Sequence, residues 1–236
     1  MDEFDVYSTL HAASRHSFAG RRTSHGTALM VRKWAGEDVD AEGRLESQRF
    51  GVWARPHPAE EVSGDAYFIR TRNRQTLVAV IDGLGHGEGA KEAADCAIDS
   101  LDEWMGEPLD EVLRSVHEAL RSTRGAVLGA AVIDEANGQF HYAGVGNVMV
   151  RVFGNAQAIS PISTNGTLGA RLGQVRVWTH PWTDGATLVM ASDGVSASWD
   201  IESYPGILRH SPQILAGVLM RDYGRDADDA TVLVAR

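Results

Sequence analysis

The chain has 236 residues, enough for one substantial core, and its 22 Lys and Arg against 32 Asp and Glu give a net charge of -10. This acidic balance opposes binding to nucleic-acid backbones and to anionic membrane surfaces. The lone Cys96 excludes an internal disulfide, and no apolar run approaches the roughly 20 residues of a membrane span, so we expect a cytoplasmic protein without nucleic-acid or membrane partners.

Residues 1–48 differ in composition from the rest of the chain. Two short strand-like runs flank a polar loop, and an acidic stretch poor in apolar residues, 35–48, is predicted to be a linker. The spacings of His11, His16 and His25 match no common zinc pattern, which favours a solvated loop. We therefore predict an N-terminal strand-loop-strand appendage with its linker over 1–48 and one main domain over 49–236.

The main domain begins with three strand-like runs, at 50–54, 66–70 and 77–81. A polar turn joins the second run to the third, so hairpin pairing would bring Asp65 and Asp82 to the same end of a sheet. Gly83, Gly85, Gly87 and Gly89 then form a glycine-rich turn whose backbone can approach a ligand closely. A helix-capping aspartate is the alternative interpretation of Asp82 taken alone.

Two amphipathic helices follow the glycine-rich turn and are separated by Glu107-Pro108. The apolar face of the first extends as far as Met105, and Cys96 is predicted to be a small core residue on it. The second half of the chain is β-rich. It has strands at 126–133, 140–145 and 148–153, which the turns at 135–138 and Gly146-Asn147 would join as an antiparallel meander. Further strands at 175–179, 187–191 and 230–235 and a helix at 212–220 complete an α+β arrangement of two packed sheets covered by helices.

Aspartates recur at the ends of the apolar runs. Asp65, Asp82, Asp193 and the Asp228-Asp229 pair each lie at the edge of a strand-like segment. Ionised carboxylates repel one another, so several can converge only if a cation neutralises them. Ligation by oxygen alone favours Mg²⁺ or Mn²⁺ over zinc.

The ordered motifs SGD, DGLGHG, SDG and DDAT resemble those of the PPM (PP2C-type) metal-dependent protein phosphatases, in their SpoIIE-like bacterial branch. The chain is most similar to the small RsbX-like feedback phosphatases of the stressosome pathway. The resemblance implies an α-β-β-α sandwich of two antiparallel sheets flanked by helices. The N-terminal segment is similar to the closing strand pair of anti-sigma-factor kinases with a GHKL-type fold, without their ATP site.

The resemblance also implies a site with two divalent cations, Mn²⁺ or Mg²⁺, and a water activated between them. Asp82 would bridge both ions, the Gly83 carbonyl would bind one, and Asp193 and Asp228 would hold the other. Asp65 would reach the second ion directly or through water. Asp82 and Asp193 are the predicted catalytic residues. His86 and Arg55 are candidates for substrate binding, although His86 is equally compatible with stabilising its turn and Arg55 with an exposed strand end.

The implied activity is hydrolysis of phosphoserine or phosphothreonine on a protein, such as a phosphorylated STAS-domain protein or an anti-anti-sigma factor in a partner-switching cascade. Two other classes remain open. One is a catalytically weak binding module that sequesters a signalling partner and would require damage to the aspartate set. The other is a small-molecule phosphomonoesterase. The sequence does not specify an oligomeric state.

Overall fold

The computed structural model of the protein describes residues 48–155 and 158–236. The predicted strand-loop-strand appendage, most of its linker and the GHKL-like resemblance fall on 1–47, outside the described residues. The division at 48 and 49 stays a prediction.

Two antiparallel sheets form the centre of the described fold. A five-stranded sheet has the order β2-β3-β4-β5-β7, and a four-stranded sheet has the order β1-β9-β8-β6. The strands are β1 (Phe50–Arg55), β2 (Asp65–Arg72), β3 (Gln75–Gly83), β4 (Ala126–Asp134), β5 (Gln139–Val145), β6 (Met149–Phe153), β7 (Trp178–Pro181), β8 (Thr187–Ala191) and β9 (Ala230–Ala235).

Helices cover the outer faces of both sheets. The helix α1 (Glu88–Asp102) and the helix α2 (Leu109–Ala119) pack on the five-stranded sheet, and α3 (Pro212–Tyr223) packs on the four-stranded sheet. A third apolar cluster lies between the two sheets. The predicted α-β-β-α sandwich is confirmed. Among the residues that the structure describes, every helix is too short or too polar to cross a bilayer.

The predicted meander is wrong at its second turn. The β4–β5 hairpin forms as expected, but β5 and β6 belong to different sheets. Gly146 has a φ of 95° and passes so close to Val127 that a Cβ there would lie 2.2 Å from its side chain. The Gly146-Asn147 turn therefore carries the chain across the sandwich instead of closing a hairpin.

Three local predictions also need correction. The strand predicted over 175–179 begins three residues later, as β7 (Trp178–Pro181), because pairing with β5 begins only at Trp178. The helix α1 ends at Asp102, which leaves Met105 61% exposed and lets Trp104 fill the core. Cys96 is half-buried at the rim of the core, where its thiol donates a hydrogen bond to the Ala119 carbonyl, 3.4 Å away.

Candidate active site

Two of the predicted aspartates meet directly across the β2–β3 hairpin. The register pairs Asp65 with Asp82, and the Gly83 N–H continues the ladder by donating to the Gly64 carbonyl at 3.0 Å. Residues 77–81 of β3 are fully buried, which fixes the position of the strand end where Asp82 lies. A Cβ on Gly83 would lie 2.1 Å from the Ala90 carbonyl, so glycine is needed for α1 to pack this closely.

The other two aspartates come from the four-stranded sheet. Asp193 follows β8 and Asp228 precedes β9, and these strands are neighbours whose register pairs Ala191 with Val232. The two loops pack tightly, since a Cβ on Gly194 would lie 1.8 Å from the Asp229 carbonyl oxygen. One end of the sandwich thus carries carboxylates from both sheets.

These carboxylates lie close enough to perturb one another. Burial, reinforced by the charges of Asp65, Asp193 and Asp228, raises the pKa of Asp82 to about 8. Burial raises the pKa of Asp65 to about 7, despite a hydrogen bond from Ser192. Burial and the charge of Asp193 also raise the pKa of Asp228. All four predicted aspartates therefore belong to one electrostatic cluster.

The cluster fits a divalent cation. The buried Asp229 carboxylate accepts one hydrogen bond, from the His57 N–H to Oδ1 at 2.8 Å, while its Oδ2 has no partner among the described residues. Uncompensated carboxylate oxygens at one end of a fold are suited to a hard cation such as Mg²⁺ or Mn²⁺. Within the described ranges, no three His, Cys, Asp or Glu side chains already surround one point closely enough to hold an ion. The proposed ligands therefore stay a prediction.

Ser192 connects the two sheets at the site and was missed in the sequence. Its hydroxyl donates to Asp65 Oδ2 at 2.5 Å and accepts from the Thr231 N–H at 3.0 Å. The side chain is fully buried, so it fixes the orientation of Asp65 on the opposite sheet. Its place just before Asp193 is the only signal that the sequence offers.

Asn147 has a comparable role for Asp193. Its side-chain amide donates to Asp193 Oδ2 at 2.8 Å, from the turn that crosses between the sheets. The sequence indicated only an ordinary turn at Gly146-Asn147. The contact of Asn147 with Asp193 could not be predicted because it depends on the crossover between the sheets.

His86 is held at the site by two residues that the sequence did not single out. Its Nδ1 lies 2.6 Å from Glu60 Oε1, and its ring stacks on that of His57 with centroids 4.7 Å apart. The His57 Nδ1 accepts a hydrogen bond from the Ala59 N–H at 3.1 Å, which fixes the orientation of the His57 ring. This arrangement stabilises the turn and leaves the His86 side chain 55% exposed. Substrate contact by His86 stays a prediction.

Arg55 lies at the end of β1, beside the loop that leads to Asp228. Its guanidinium donates to the Arg225 carbonyl and lies 3.9 Å from Asp226 Oδ1. These contacts support the loop, and the predicted role of Arg55 in substrate binding remains untested.

Comparisons with known proteins agree with this geometry. The family model described as Stage II sporulation protein E (SpoIIE) matches residues 72–236. The phosphoserine phosphatase RsbX of Bacillus subtilis (strain 168) is 25% identical over 146 residues, which cover 61% of this chain and 73% of that protein.

Solved structures share the architecture. A chain from a structure of the bacterial stressosome is 31% identical with a TM-score of 0.76, covering 80% of this chain and 98% of its own. RsbX in complex with magnesium is 23% identical with a TM-score of 0.69, covering 78% and 92%. The serine/threonine phosphatase PstP/Ppp of Mycobacterium tuberculosis is 14% identical with a TM-score of 0.59, covering 79% and 97%. The predicted resemblance is confirmed: the chain belongs to the SpoIIE family and has the PP2C-type phosphatase fold.

Proposed function

We propose that the protein is a metal-dependent phosphatase acting on phosphoserine or phosphothreonine in a STAS-domain protein or anti-anti-sigma factor of a partner-switching pathway in the cytoplasm. Membership of the SpoIIE family supports the reaction class. The similarity to a phosphoserine phosphatase and to a stressosome chain supports the substrate class and the pathway.

One observation carries the proposal: the aspartate cluster at the end of the sandwich is assembled from both sheets. Burial raises the pKa values of Asp65 and Asp82 on one sheet and of Asp228 on the other, and the charge of Asp193 adds to all three shifts. Such a cluster costs stability unless cations compensate it, which a purely structural site would avoid. An intact set also argues against a binding module with a damaged site.

Each residue has a defined task in this proposal. Asp65, Asp82, the Gly83 carbonyl, Asp193 and Asp228 would hold two divalent cations, Mn²⁺ or Mg²⁺. When bound, the cations neutralise phosphoryl charge and activate water for attack.

The residues around the carboxylates position them and the substrate. Ser192 and Asn147 hold Asp65 and Asp193 in place through their hydrogen bonds. The exposed His86, oriented by Glu60, would donate a proton to the departing serine or threonine oxygen. No protein nucleophile is required, and Cys96 lies away from the cluster, with its thiol bonded to the Ala119 carbonyl.

The direct test is phosphate release from a phosphorylated STAS-domain protein. We expect release that requires Mn²⁺ or Mg²⁺, stops with a chelator and is lost in Asp82→Asn. Release from small phosphomonoesters with none from the phosphoprotein would favour a small-molecule phosphomonoesterase. Tight binding of the phosphoprotein without any release would favour a sequestering module.

A further inference from the structure

Arg124 lies directly over the glycine-rich turn, at the same end of the sheet as the aspartates. Its Nη1 lies 3.4 Å from the position that a Cβ on Gly85 would occupy, and its Nε lies 2.5 Å from a Cβ position on Gly89. The register pairs Gly83 with Ala126, two residues beyond Arg124. The guanidinium therefore lies beside the glycine-rich turn that follows Asp82 in the sequence.

Gly85 lies close both to this guanidinium and to Gly64, which adjoins the carboxylate cluster. A Cβ on Gly64 would lie 3.5 Å from the Gly85 carbonyl oxygen and 2.9 Å from Asp229 Oδ2. Gly64 immediately precedes Asp65 in the sequence. This series of contacts, from Arg124 through Gly85 to Gly64, places Arg124 near the rim of the proposed metal site.

The backbone that carries Arg124 is fixed on both sides. The Thr123 N–H and hydroxyl both donate to the Leu120 carbonyl, at 3.0 and 2.9 Å. The Gly125 N–H donates to Thr123 Oγ1 at 3.0 Å, and the Gly125 carbonyl accepts from the Leu84 N–H at 3.0 Å. The last bond ties the segment to the glycine-rich turn, so the side chain starts from a rigid platform.

The Arg124 guanidinium has no hydrogen bond or ion pair with any residue in 48–155 or 158–236, although it lies beside an acidic cluster. Two other arginines are already engaged: Arg55 donates to a backbone carbonyl, and Arg121 forms an ion pair with Glu118 at 2.9 Å. Glu88, in the first turn of α1, forms no ion pair with Arg124. Five exposed N–H donors therefore remain available for a ligand.

We propose that Arg124 binds the phosphoryl group of the substrate. Four aspartates and two divalent cations are together neutral, so the dianionic phosphoryl group needs a further positive charge at the rim. A guanidinium supplies this charge and two parallel donors that match phosphate oxygens. Glycine at 85 and 89 leaves room for the side chain over the turn. This assignment rests on the proposed phosphatase function.

The test compares the parent chain with Arg124→Ala, Arg124→Lys and the control Arg121→Ala. Arg121 lies three residues earlier in the sequence and is also exposed. Binding of inorganic phosphate to the Mg²⁺-loaded protein is measured by calorimetry, alongside KM and kcat for a phosphomonoester. Arg124→Ala should raise both the phosphate Kd and KM about tenfold with a smaller change in kcat, since a charge-assisted contact is lost. Arg124→Lys should recover part of the loss, and Arg121→Ala should behave as the parent.

Unchanged phosphate affinity and KM in Arg124→Ala would overturn the assignment while leaving the phosphatase function standing. A parallel loss of Mg²⁺ affinity and thermal stability would also overturn it, because the side chain would then be structural. If the parent binds phosphate through Arg124 but releases none from a phosphorylated STAS-domain protein, the phosphatase function fails and the phosphoryl contact stands.

Discussion

The two ends of the central β3–β4 ladder carry buried carboxylates in opposite states. At one end, Asp134 is 3% exposed and accepts hydrogen bonds from Gln75 Nε2 and from the backbone and side chain of Asn137, at 2.8 to 3.0 Å. Although burial raises its pKa, these bonds bring the pKa of Asp134 below the ordinary value. At the other end, Asp82 of β3 pairs with Asp65 of β2, which is 7% exposed, faces other carboxylates and has a pKa that burial raises to about 7.

The difference shows what distinguishes a structural carboxylate from a functional one in this fold. Both are buried at strand ends, so burial alone does not separate them. Asp134 is surrounded by donors and needs nothing more, whereas Asp65 and Asp82 face like charges. The uncompensated end is the one at which we propose that the cations bind.

The largest difference between the two ends should appear when one carboxylate at each end is replaced. Activity should fall in one case and stability in the other. Asp82→Asn or Asp193→Asn should lower Mg²⁺-dependent phosphate release by about a hundredfold or more, since loss of even a supporting residue costs up to that factor. Both variants should stay folded, because each removes a repelling charge. Steady-state kinetics and circular dichroism measure the two effects.

The matched control is Asp134→Asn, which should behave in the opposite way. Losing one acceptor in a buried network should lower the free energy of unfolding by about 1 to 3 kcal/mol. Activity per folded molecule should not change. Full activity in both site variants would refute the assignment of the site to this end.

The pH dependence of stability should also differ between the two ends. In the metal-free protein, Asp65 and Asp82 retain protons that the unfolded chain releases. Their contribution is fully present below the ordinary carboxyl pKa of about 4 and is lost as pH rises through about 7 and about 8. Asp134 has a lowered pKa, so its contribution is present above about pH 4 and is lost as pH falls further.

Urea unfolding in chelator should therefore give a stability that falls between about pH 5 and about pH 8. The fall should be smaller in Asp82→Asn, and Mg²⁺ should stabilise the parent more at the higher pH because it replaces protons. Stability that rises over this range in chelator, with the same slope in Asp82→Asn, would contradict the raised pKa values.

At each end an asparagine side chain donates a hydrogen bond to an aspartate, and replacing it should have a smaller effect than replacing the aspartate. Asn147→Ala removes the donor to Asp193 and should weaken Mg²⁺ binding about tenfold. Asn137→Ala removes the side-chain amide that donates to Asp134 Oδ2 and should lower stability without changing Mg²⁺ affinity. Calorimetric titration and thermal unfolding of both variants provide the measurements. If the two variants bind Mg²⁺ with equal affinity, Asn147 does not support the metal site.

Cys96→Ser should have the smallest effect. Burial, with the charges of Asp99 and Glu92, raises the pKa of Cys96, so its thiol stays protonated and unreactive. A serine can donate to the same Ala119 carbonyl, and we expect a stability change within about 0.5 kcal/mol and unchanged activity. A phosphorylated Cys96 detected by mass spectrometry would overturn the mechanism.

The sequence was sufficient for those parts of the site that follow from local pairing. The opposition of Asp65 and Asp82 follows from a short hairpin, and the burial of β3 follows from its apolar run. The arrival of Asp193 and Asp228 at the same end followed from the family resemblance, because nothing local determines how two sheets stack.

The supporting residues could not be predicted from the sequence because they contact side chains that are distant along the chain. Ser192 contacts a carboxylate 127 positions away, and Asn147 contacts one 46 positions away. The crossover at Gly146-Asn147 was missed because a glycine of positive φ suits a hairpin and a crossover equally. Glu60 and His57 lie in a loop whose position depends on the Asp228-Asp229 segment that it contacts.

The most direct test of the central claim is a calorimetric titration of the full chain with Mn²⁺ or Mg²⁺, comparing the parent with Asp82→Asn and Asp134→Asn. We predict that the parent and Asp134→Asn bind divalent cations with the same stoichiometry and affinity, and that Asp82→Asn loses most of this binding. Equal binding by Asp82→Asn and the parent would contradict the assignment of the aspartate cluster as the metal site.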